Sequence, residues 1–84
     1  MIAYPVRLFR TDEGKVRACF LDVPEAFAEG ESEDDAMYRA FFVLEEALAN
    51  YVLHERPLPV PSDVCGAPVV STNKFNLPAA TPHA

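Results

Sequence analysis

The chain has 84 residues, half of them apolar, and a formal charge of −6 from 13 acidic and 7 basic side chains. That describes one domain with a small core, too apolar to be a disordered acidic chain. Net negative charge repels phosphate backbones, so direct nucleic acid binding is not expected, and the longest apolar runs fall far short of the roughly 20 residues a membrane span requires.

The first residues, Met1-Ile2-Ala3-Tyr4-Pro5, lack the basic and apolar regions of a signal peptide, so a cytoplasmic protein is the default expectation. Residues 4–10 alternate as a strand, with Tyr4, Val6 and Leu8 on one side and Arg7 on the other. Pro5 has no amide to donate, which places the strand at an edge or lets it pair only beyond Pro5. Thr11-Asp12-Glu13-Gly14 supplies a turn. Residues 15–21 return, with Val16, Ala18 and Phe20 facing one way and Lys15 and Arg17 the other, giving a hairpin with one apolar and one wetter face. Cys19 and Leu21 interrupt the wet face, consistent with partial cover from the C-terminal tail. Asp22-Val23-Pro24-Glu25 breaks this strand, 26–28 form a short third one, and Gly30 leads into the next element.

A single long helix is predicted over residues 32–55. Ser32 is the N-cap, accepting from the Asp35 amide, and Asp35 answers as a short capping-box carboxylate. Glu33, Asp34 and Asp35 sit where the helix field is positive. Ala36, Ala40, Val43, Leu44, Ala47, Leu48 and Tyr51 recur at the spacing of one buried face, widened by Met37, Phe41 and Val52. The alanines predict a sheet lying close to the helix axis. Arg56-Pro57 ends the helix. Phe42 and Leu53 point away from the core, either as ordinary exposed apolar residues or as a patch for a second copy of the chain, giving a dimer or tetramer. Beyond Arg56 lie six of the eight prolines, which impose an extended path through Pro57, Pro59 and Pro61. A last short strand is expected over 67–71. The fold class is therefore α+β with the order β-β-β-α-β: a three-stranded antiparallel meander, one long helix packed on it, and a short final strand. The domain spans 1–71 and a flexible tail 72–84, to which Phe75 and Leu77 offer anchors.

Chemistry is sparse. Cys19 and Cys65 are expected as free thiols, and without CxxC or paired histidines no metal site or other cofactor is expected. His54 reads as a capping residue at the helix end, Cys19 and Cys65 have no histidine partner, and Glu45 and Glu46 fall on the solvent side of the helix. An enzyme is not expected. The charge is uneven: Arg7, Arg10, Lys15 and Arg17 lie in the first hairpin, whereas Asp22, Glu25, Glu29, Glu31, Glu33, Asp34 and Asp35 follow with no basic residue among them. This acidic arc is either solvated surface or a docking face for a basic protein, with Asp22, Glu25, Glu29 and Glu31 as the partner-binding residues.

Tyr4-Pro5 in the first strand, Asp22-Val23-Pro24 after the second, residues 26–30 ending in glycine, Ser32-Glu33-Asp34-Asp35-Ala36 opening the helix, and Leu58-Pro59-Val60-Pro61-Ser62 after it form an ordered set. Together, over about residues 3–62, the set resembles the HicB antitoxin family. The resemblance implies a shortened ribonuclease H-like fold and an antitoxin that masks the active surface of a small basic toxin. That toxin would be a HicA-like, mRNA-cleaving ribonuclease with a double-stranded-RNA-binding-like fold. Ribonuclease H chemistry does not carry over, because the first strand offers Arg7 and Arg10 where a carboxylate is needed. Two departures stand out. Glu25 occupies a position where the family commonly has glycine, and the residues after the last strand leave no room for the DNA-binding module that many members append. A stand-alone structural or regulatory module that has lost its toxin is the alternative.

Overall fold

The computed structural model describes residues 2–75. In chain order the elements are β1 (Ile2–Arg10), β2 (Val16–Phe20), β3 (Phe27–Gly30), α1 (Glu33–Leu53) and β4 (Val69–Thr72). The strands form one antiparallel sheet of order β3-β2-β1-β4, and α1 lies across one face. The β-β-β-α-β order and the short last strand follow the sequence patterning, although β4 forms at 69–72 instead of 67–71. Residues 76–84, with Leu77 and most of the expected tail, lie outside the described residues.

Period-two alternation fixes which side chains meet the helix. Ile2, Tyr4 and Val6 of β1, Val16, Ala18 and Phe20 of β2, Ala28 of β3 and Val70 of β4 are buried on the helix side. They pack against Ala36, Ala40, Leu44, Ala47, Leu48 and Tyr51. Val43, Met37 and Phe41 border this core, while Val52 is 55% exposed and does not widen the face as its spacing predicts. The small residues matter because they let the helix sit low. A Cβ on Gly30 would lie 2.5 Å from the Ala36 amide nitrogen and 2.8 Å from the Asp35 carbonyl carbon, a contact that real side chains do not make.

Pro5 is not at a sheet edge. β1 is an inner strand, and it changes partner at the proline. Ile2, Ala3, Tyr4 and Pro5 pair with β4, whereas Val6 to Arg10 pair with β2. The Pro5 carbonyl still accepts from the Leu21 amide at 3.5 Å, and the Val6 amide donates to the Pro68 carbonyl at 2.8 Å. The missing N–H of Pro5 thus falls just beyond the regular β1–β2 ladder, which begins at Val6. In the β1–β2 turn, Gly14 adopts φ +83°, which is free for glycine alone, and its amide donates to the Thr11 carbonyl.

Ser32 caps α1 as predicted, its hydroxyl accepting from the Asp35 amide at 3.1 Å. Asp35 does not answer to Ser32 but to the Glu31 amide, one residue further back, at 2.9 Å. At the other end the helix stops after Leu53, three residues before the sequence forbids it. The Glu55 amide donates to the Val52 carbonyl and the Arg56 amide to the Tyr51 carbonyl, closing a left-handed cap in which Glu55 takes φ +56°. A residue with a Cβ is strained there by ~1 kcal/mol. Glu55→Gly should therefore raise stability by about 0.5–1 kcal/mol, against the usual cost of introducing glycine. Urea denaturation that shows an unchanged or lowered midpoint would refute this account of the cap.

Candidate protein-binding surface

The four carboxylates singled out for partner binding lie along the β2–β3 connection and β3, but the fold has given most of them partners. Asp22, just after β2, accepts from both the amide (2.8 Å) and the hydroxyl (2.6 Å) of Ser62, which ties the proline-rich segment to the sheet. Glu29 stands opposite Arg17 in register on the outer sheet face and forms a two-point ion pair with its guanidinium through Nε, at 2.9 Å, and Nη2. Arg17 also lies 5.3 Å from the centroid of the Phe27 ring. Glu31 receives Lys15 Nζ at 2.7 Å. Glu25 is exposed on the turn and beside Tyr51; burial first, and then the Glu25 carboxylate, raise the pKa of that phenol. The acidic arc is thus interleaved with the hairpin's cations, which register brings across from β2. Bonding from the Glu31 amide, and then from Arg39, holds the Asp35 carboxyl below its ordinary range.

Phe42 and Leu53 both lie on the outside of α1, 52% and 72% exposed. Phe42 stacks edge-on with Tyr38 and Phe41, each at a centroid distance of 5.2 Å, so its ring is held in place on the surface. Leu53 lies in the last turn next to the exposed Val52, 11 residues or roughly 16 Å further along the axis. His54 is the C-cap, its ring Nδ1 2.9 Å from the Asn50 carbonyl oxygen.

Other features were not visible in the sequence. Glu45 is not on the solvent side: it faces β4, accepts from the Thr72 hydroxyl at 2.7 Å and lies 3.6 Å from Lys74 Nζ. The outer sheet face exposes Phe9, Leu21, Phe27 and Val69. The proline-rich segment is fixed at a second point, where the Tyr4 hydroxyl donates to the Pro59 carbonyl at 2.7 Å. Cys19 and Cys65 are free thiols. Among the described residues no three His, Cys, Asp or Glu side chains converge to hold a metal ion, and no helix is long and apolar enough to cross a membrane.

The chain belongs to the HicB-like antitoxins of bacterial toxin–antitoxin systems, whose family model matches residues 3–72. Among solved structures, the N-terminal domain of the antitoxin HicB of Burkholderia pseudomallei has the same fold. It superposes with a TM-score of 0.71 over 86% of this chain and 99% of that one, at 15% identity. No curated protein matches the chain in sequence.

Burial, followed by the Asp22 carboxylate, pushes the Tyr4 phenol up to about 12. In the unfolded chain it ionises near pH 10. Its contribution to stability is then complete below pH 10 and is lost as pH rises from 10 towards 12. Tyr4→Phe should cost about 1 kcal/mol at pH 7 through the lost bond to Pro59. It should also show a shallower alkaline fall than the parent, with the Tyr51 share remaining. Urea midpoints measured from pH 8 to 11.5 decide this; parallel curves would contradict it.

Proposed function

We propose that this protein is an antitoxin that neutralises a small basic, mRNA-cleaving toxin of the HicA type by covering its active surface. The family match over residues 3–72 carries the reading. Surface electrostatics support it. The four ion pairs of the described chain take up four charges of each sign, leaving nine carboxylates and three guanidiniums without a salt-bridge partner. Such an excess accelerates encounter with a basic protein and disfavours acidic competitors. The partner-facing residues are Asp22, Glu25, Glu29 and Glu31, with Glu29 and Glu31 presented in fixed positions by Arg17 and Lys15. No catalytic step is assigned to the chain. A regulatory module that has lost its toxin is the competing reading, and a short basic reading frame beside this one separates the two.

The charge-reversed variant Glu25→Lys/Glu29→Lys/Glu31→Lys, checked for folding by circular dichroism, should release the basic protein encoded alongside at lower salt than the parent does. It should also fail to protect mRNA from cleavage. Protection by the folded variant equal to the parent's at physiological salt would leave these carboxylates as solvated surface only.

Self-association is proposed through the outward face of α1, where Phe42 and Leu53 would meet a second copy. Phe42→Glu/Leu53→Glu should sediment as a monomer under conditions where the parent is a dimer or larger. A monomeric parent would remove this interface.

A further inference from the structure

Alongside α1 runs a groove of about 400 Å³ between the helix and the start of β3. Its floor is apolar: Ala26 and Ala47 are buried and Val43 half-buried. Phe27, 51% exposed, forms one wall, and Asn50 marks the rim. The two charged residues that line it are both carboxylates, Glu25 from the turn and Glu46 from the helix. Neither has an ion-pair partner among the described residues, whereas Glu29, Glu31, Asp35 and Glu45 do. A neighbouring depression on the other side of Glu46, walled by Phe42 and Phe75, already contains Lys74, which would repel a second cation.

We infer that the groove between Glu25 and Glu46 seats one arginine side chain of the protein partner. This deepens the antitoxin reading and rests on it for the partner's basic character. A methylene stem fits an alanine and valine floor, since long basic side chains lay their stems on apolar surface and keep the charge at its edge. The planar guanidinium then meets the two carboxylates at its donors, beside the Phe27 ring that Arg17 already covers from the sheet side, and its fork of donors favours arginine over lysine. A neutral aliphatic side chain would leave both carboxylates unanswered, and an acidic one would be repelled. Complementary charge and the apolar floor together define the occupant.

The groove can be probed without the toxin. N-acetyl-arginine amide, titrated into the labelled protein, should shift the methyl resonances of Ala26, Val43 and Ala47 and the ring of Phe27. N-acetyl-norleucine amide should not. Glu25→Gln/Glu46→Gln should weaken arginine binding at least fivefold, while Asp12→Asn/Glu13→Gln, an equal loss of charge in the distant hairpin turn, should change it less than twofold. Shifts scattered over all the surface carboxylates, or an equal effect of the two double variants, overturn the groove. The two readings fail separately. A parent that seats arginine here but captures no basic toxin sinks the antitoxin function and keeps the groove; one that captures toxin while arginine finds no localised site does the reverse.

Discussion

The closeness of α1 to the sheet is the constraint from which the rest of the structure follows. Gly30 stands where even a methyl group would strike the backbone of the first helical turn, and Ala36, Ala40 and Ala47 continue the same small-residue line. Facing them are Ala18 and Ala28 on the sheet. With so little side-chain volume between the layers, the large residues gather towards one end of the helix. Leu44, Leu48 and Tyr51 there share the core with Tyr4, Phe20 and Val70. A helix held this low and anchored at its start by the Ser32 and Asp35 bonds has little freedom to rotate. Everything on its outer surface, from Phe42 to Leu53, is therefore presented in one orientation.

Charge is organised by the same frame. The antiparallel register of β2 and β3 sets Arg17 across from Glu29, and the ends of the same two strands bring Lys15 to Glu31. Such exposed pairs add little stability, typically under about 1 kcal/mol each. Their effect is positional: two long acidic side chains are held in place while others, among them Glu25 and Glu46, have no ion-pair partner among the described residues. A surface of this kind suits recognition by complementary charge, and it requires no reacting group.

Much of the architecture is legible in residue order because it rests on periodicities. The three- and four-residue recurrence from Ala36 to Tyr51 defines the helix, Ser32 and the acidic first turn define its start, and alternation defines the hairpin. What is not legible depends on long-range placement. Pro5 reads either as an edge residue or as the point beyond which pairing begins. The β1–β2 ladder does begin at Val6, but local rules cannot show that β1 pairs with β4 on the other side of that point. Glu45 reads as solvated because nothing nearby in sequence announces Thr72, 27 residues away. The left-handed turn at Glu55 carries none of the glycine that normally signals it. The groove escapes for the same reason: Glu25 and Glu46 are brought together only by the packing of α1 along β3.

The division of β1 at Pro5 has a mechanical consequence. One half of the strand is bonded into the unit formed by β2, β3 and the helix, and the other half serves β4, which arrives after a proline-rich traverse pinned at Pro59 and Ser62. Detaching β4 would break its pairing with the first half of β1 and the Thr72 bond to Glu45 of the helix, but leave the hairpin ladder whole. The sheet is accordingly a three-stranded body with a fourth lath attached along one half of β1, so an opening that frees β4 need not unzip β2.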